Sequence, residues 1–234
     1  MKHTDLIVIL DRSGSMAGLA RDMEGGFDQL IREQARLKGS CNVTLVQFDS
    51  QAIDTVYTGT PVGKVPPLSL EPRGGTPLLD AVGSSLAAAS QQIAGLPAAR
   101  RPEQVMVIII TDGAENASHE YTLPQVRALV EKLSGEGWRF VYLGANVDAF
   151  AEAGSMGIAA MSAAAYQPDS ASAGSMFVAA SANLATYRAG SYTGFSDAQR
   201  KAMNPSTTNA MPTNINPTGT WAFGGPPHPG EATP

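Results

Sequence analysis

The chain has 234 residues, 43% of them hydrophobic and 16% charged, enough for one substantial core but not for several large domains. A net charge of −5 with no cluster of Lys or Arg argues against a nucleic-acid partner, and no segment approaches the roughly 20 apolar residues of a membrane span. The single cysteine, Cys41, excludes an intramolecular disulfide.

Residues 6–10 are continuously apolar and predict a buried strand of parallel type. The run is short and lies between Asp5 and Asp11, unlike a signal peptide, so the expected location is cytoplasmic, with a virion or other assembly as the alternative. Met23, Phe27, Leu30, Ile31 and Leu37 recur at helical spacing within residues 16–38, and Gly39 is a natural stop. Residues 42–48 and 52–57 predict two strands joined by a short turn, hence an antiparallel hairpin. Residues 59–77 are rich in Pro and Gly and predict a long loop, of the kind that is often functional.

Helical spacing returns at 78–93, followed by the strongly β run 105–110, "VMVIII". A helix is predicted at 123–133, with Thr122 and Gln125 as a capping box. Then come a strand at 138–143, a short helix at 147–154, a weak last strand at 158–163 and a helix at 171–188. Six strands alternating with helices in this way imply a doubly wound, mainly parallel α/β sheet with one antiparallel edge strand and helices on both faces. The body is assigned to residues 1–190. Residues 191–234, dominated towards the end by Asn, Pro, Thr and Gly, are assigned to a tail without a core of its own.

Two aspartates end strands of this sheet: Asp11 after the first, and Asp112 after "VMVIII". If those strands are neighbours, the carboxylates lie close together and repel, and a divalent cation between them relieves the repulsion. Ser13 and Ser15 follow Asp11 at alternate positions in "DRSGSM", and Thr76 lies in the Gly-rich loop "RGGTP". All are oxygen donors, which suit Mg²⁺ or Mn²⁺ rather than zinc.

"DRSGSM", "GGTPL" and "ITDG", in this order and spacing, resemble the von Willebrand factor type A (VWA) domain and its metal-ion-dependent adhesion site, over roughly residues 3–190. The resemblance implies a Rossmann-like fold with direct metal contacts from Ser13 and Ser15. It implies a direct contact from Thr76 in a ligand-bound form, and partly water-mediated ones from Asp11 and Asp112. Two carboxylates leave such a cation under-neutralised, so it is expected to attract an Asp or Glu of a partner protein, possibly within a multi-subunit assembly.

Other readings compete. "DRSGSM" alone also makes a good helix cap. A phosphoryl-accepting Asp11 would need an acid two positions on, where Ser13 stands, and no histidine is evidently placed to activate Ser13 or Ser15, so no catalysis is expected. Arg73 either steers an acidic partner or pairs with Glu71, and Glu115 either reaches the site rim or lies on a solvated loop. Trp221 and Phe223, flanked by Gly and Pro, either belong to a floppy terminus or anchor a docking motif. The alternative overall function is a structural component of a bacterial or phage assembly, docked through this tail and not dependent on metal.

Overall fold

The computed structural model describes residues 2–145 and 148–205; Trp221 and Phe223 lie outside them. Among the described residues, the strands β1 (His3–Asp11), β2 (Ser40–Asp49), β3 (Ala52–Pro61), β4 (Gln104–Thr111), β5 (Arg139–Gly144) and β6 (Ala163–Ala165) form one sheet in the order β3-β2-β1-β4-β5-β6. All neighbours are parallel except β2 and the edge strand β3, which are antiparallel.

Strand β1 explains the layering. Leu6, Val8 and Leu10 point to one face and Ile7 and Ile9 to the other, and all five are buried. Covered on both sides, the strand has no solvent face, and its sequence is apolar without alternation. Helices α1 (Ala20–Ala35) and α5 (Ser170–Arg188) cover the first face through Met23, Phe27, Met176 and Phe177. Helices α2 (Leu78–Gly95), α3 (Leu123–Gly135) and α4 (Ala149–Ser155) cover the second through Val82, Val126 and Ala153. In the α3 cap, the Thr122 N–H donates to Gln125 Oε1 at 2.8 Å.

Four details depart from the sequence reading. The first helix does not begin at Met16: a 3-10 turn, Gly14–Gly18, buries Met16 before α1 starts. That helix ends at Ala35, and the Arg188 guanidinium donates to the carbonyl of Gln34 in its last turn (2.8 Å) and to that of Gly39 in the loop beyond (3.1 Å). Strand β3 runs on to Pro61, shortening the long loop. The last strand is Ala163–Ala165 rather than 158–163; alanine has little β preference, and pairing with Tyr142–Gly144 sets its position.

The body also extends past the boundary expected at residue 190. Phe195 and Met203 are buried, and α6 (Asp197–Met203) packs beside α5. Arg200 is 1% exposed, and its guanidinium donates to the carbonyls of Phe195, Ala160, Met161 and Ala163. One buried cation thus ties residues 195–203 to the edge of the sheet, an arrangement that local composition does not reveal.

Candidate metal centre

Strands β1 and β4 are adjacent and in register, Leu10 beside Ile110, so Asp11 and Asp112 emerge at the same carboxyl edge of the sheet. Asp11 is held on both oxygens. The Ser13 N–H donates to Oδ1 at 2.7 Å, and the Thr111 hydroxyl donates to Oδ2 at 2.6 Å. The Ser15 hydroxyl donates to Asp112 Oδ1 at 2.6 Å. Ser13 and Ser15 Oγ lie 3.0 Å apart, and since Ser15 gives its proton to Asp112, Ser13 is the donor between them. A methyl group placed on Gly113 would lie 3.6 Å from the Thr76 hydroxyl and 3.8 Å from that of Ser15, so the threonine borders the same cluster. Asp11, Ser13, Thr76 and Asp112 are buried and Ser15 is exposed, which makes the Ser15 side the opening.

Burial raises the pKa of Asp11. Hydrogen bonds from Thr111 and Ser13 oppose this, and the charge of Asp112 adds to it. Burial likewise raises Asp112, opposed by the Ser15 hydroxyl. Two aspartates that are hard to charge, grouped with three hydroxyls, match the donor chemistry of a hard divalent ion, which would offset the cost of ionising them. Among the described residues no three His, Cys, Asp or Glu side chains gather as metal ligands, so the donor set depends on the hydroxyls.

Three loops are stitched together around the cluster. The Gly14 N–H donates to Gly74 O at 3.0 Å and the Arg73 N–H to Arg12 O at 2.8 Å, joining the β1–α1 loop to the loop before α2. Gly74 has φ of 68°, and a side chain there would also run into Ser50. Asn116 completes the stitching: its N–H donates to Thr76 O at 3.1 Å and its Oδ1 accepts from the Thr76 N–H at 2.9 Å.

Arg73 does not pair with Glu71; its Nε donates to Asp49 Oδ2 at 2.9 Å. Glu115 does not lie free on a solvated loop. It accepts from the N–H groups of Leu79, Ala117 and Ser118 and from the Ser118 hydroxyl, so it organises the loop after β4 and the start of α2.

Several supporting residues were not anticipated. Thr111 orients Asp11, and Tyr166 donates from its hydroxyl to Thr111 O at 3.1 Å. Asp80, in the first turn of α2, accepts from the N–H groups of His119, Glu120 and Tyr121. Arg12 is buried between Asp49 (2.6 Å) and Asp54 (2.5 Å). Thr111 stands beside Asp112 in the chain, but the partners of Asp80 and Arg12 are too distant in sequence to be inferred.

No family model matches the sequence, and no curated protein matches it. Solved structures do. The pilus adhesin SpaC from Lactobacillus rhamnosus GG superposes with a TM-score of 0.55 at 15% identity, over 80% of this chain and 31% of that one. The vWF domain of the type V pili tip protein Mfa5 from Porphyromonas gingivalis gives 0.52 at 11%, over 83% and 98%. A von Willebrand factor type A structure from Catenulispora acidiphila gives 0.51 at 19%, over 78% and 42%. The chain thus spans less than half the length of two of these three. It has an α/β, Rossmann-like fold, and within that class the fold is that of a von Willebrand factor type A domain. Among the described residues, no helix is long and apolar enough to cross a membrane.

Proposed function

We propose that the chain is a protein-binding module in which a divalent cation, Mg²⁺ or Mn²⁺, held at the carboxyl edge of the sheet accepts an acidic residue of a partner protein. The observation that carries this reading is the chain of hydrogen bonds linking Ser13, Ser15 and Asp112, closed by the anchored carboxylate of Asp11 and open to solvent at Ser15. Ser13, Ser15 and Thr76 would hold the cation through their hydroxyls, with Asp11 and Asp112 acting partly through water. When bound, the cation supplies positive charge and an exchangeable coordination position for a carboxylate. The same fold occurs in a pilus adhesin and in a pili tip protein, which fits a binding role.

Binding rather than catalysis is the reading favoured by the hydroxyls themselves. Ser13 and Ser15 are hydrogen-bonded to each other and to Asp112, and the histidine nearest in the chain to Asp112, His119, is exposed on the following loop. The test is Mn²⁺ titration followed by electron paramagnetic resonance, alongside affinity capture of partners with Mg²⁺ or EDTA. Wild type is expected to bind Mn²⁺ and to capture a partner only with metal, and Ser13→Ala and Asp112→Asn to lose both. Capture that is unchanged by EDTA and by both substitutions would overturn the reading.

A further inference from the structure

We propose that Arg73 forms an anion-binding subsite beside the cation, so that the partner presents two carboxylates on one acidic segment, one for the metal and one for this guanidinium. The proposal rests on the metal-dependent reading above and adds to it the chemistry of the ligand.

The Arg73 N–H is bonded to Arg12 O at 2.8 Å, and the next residue, Gly74, accepts from the Gly14 N–H at 3.0 Å. Arg73 is therefore strapped along the β1–α1 loop that carries Ser13 and Ser15, three residues ahead of Thr76. Its side chain is 42% exposed, although it is anchored by Nε to Asp49, whose side chain is fully buried.

The donor and acceptor inventory then separates the two arginines of this network. Asp49 Oδ2 accepts from Arg12 Nε as well as from Arg73, and Oδ1 accepts from the N–H groups of Gln51 and Ala52. Arg12 already supplies Asp49 with a buried counter-charge, and its own remaining nitrogens go to Gln47 and Asp54. Arg73 uses one donor of its five. Its two terminal nitrogens have no partner among the described residues, and Glu71 makes no ion pair with it.

A guanidinium fixed at Nε keeps its terminal fork free, and that fork matches a carboxylate with two parallel hydrogen bonds. Because the stem is already ordered, little conformational freedom is lost when the fork is used. An arginine serving only to neutralise Asp49 would not need a half-exposed fork, since Arg12 meets that need from inside.

The test uses the full chain with Mg²⁺ and two sets of blocked peptides. One set carries a single glutamate; the other carries two, separated by glycine spacers of increasing length. Affinities are read by calorimetry and by amide shifts. At the best spacing, the two-glutamate peptide is expected to bind about threefold tighter than the one-glutamate peptide. Arg73→Gln is expected to abolish that preference while leaving one-glutamate affinity and Mg²⁺ affinity unchanged. Arg73→Lys keeps the charge but not the fork and is expected to retain only part of the preference; it carries the test if the glutamine variant does not fold. Metal-dependent binding with no preference for the second glutamate, or a preference that survives Arg73→Gln, overturns the subsite alone. One-glutamate binding that ignores EDTA overturns the metal reading and the subsite with it.

Discussion

Ser15 and Asp112 stand 97 residues apart in the chain, yet the serine hydroxyl donates to the aspartate Oδ1 at 2.6 Å. Parallel pairing of β1 with β4 brings them together by delivering both strand ends to one edge of the sheet. The bond makes the two halves of the candidate centre a single polar unit, and the behaviour of that unit on metal addition can be measured.

Mg²⁺ is expected to raise the melting temperature. At a free concentration about one hundred times its dissociation constant, the stabilisation is about 2.7 kcal/mol. Asp112→Asn removes one of two buried like charges, so the variant is expected to melt no lower than wild type without metal and to show no response to Mg²⁺. Thermal melts of both proteins across a Mg²⁺ series check this, and a wild-type response retained in the variant would count against Asp112 as a ligand.

Acidification is expected to weaken metal binding earlier than it titrates ordinary carboxylates. Burial raises the folded-state pKa values of Asp11 and Asp112 above the usual 3.8. A group raised in this way penalises the metal-free fold as pH rises through its folded-state value, and relieves it as pH falls towards 3.8. Metal binding needs the charged forms and is lost over the same window. The gap between melting curves with and without Mg²⁺ therefore closes on the acid side while exposed carboxylates are still ionised. Melts recorded at successive pH values measure that gap.

Asp80 behaves in the opposite sense. Burial works against its charge, but the N–H groups of His119, Tyr121 and Glu120 outweigh burial and hold its pKa below the usual range. Its contribution is present above the unfolded-state pKa and is lost as pH falls through the lower folded value. Asp80→Ala leaves three backbone donors without their carboxylate and is expected to cost about 3 kcal/mol. Urea unfolding near neutral pH measures the loss, which should shrink in acid.

Arg200→Met keeps much of the side-chain length but removes the donors to four carbonyls. A loss of about 3 kcal/mol is expected. Hydrogen exchange should rise first in residues 195–203 and at β6, before the central strands respond.

The sheet was legible because its inner strands are buried on both faces, and runs such as Leu6–Leu10 and Val105–Ile110 admit little else. Asp11, Ser13, Ser15, Thr76 and Asp112 were legible as candidates because strand ends and a glycine-rich loop mark the ligand edge of such a sheet. The supporting network was not. Arg12 and Asp49 are separated by 37 residues, and although Glu115 takes three of its four hydrogen bonds from Ala117 and Ser118 close by, the fourth comes from Leu79, 36 residues back. Arg200 is similar: its surroundings in sequence look like a tail, and its role exists only where the segment 160–163, running into β6, presents carbonyls to it. Periodicity reports burial, whereas the pairing of polar groups depends on which loops the fold makes neighbours.

Strand β1 lies between two parallel partners, bonded to β2 from His3 to Asp11 and to β4 from Thr4 to Leu10. A tether attached at Asp11 and drawn along the strand axis would pull β1 lengthwise out of both neighbours. The ladder bonds on each side would be sheared together instead of being peeled apart one after another. Mechanically, Asp11 is mounted on a strand that yields only when both of its ladders give way together.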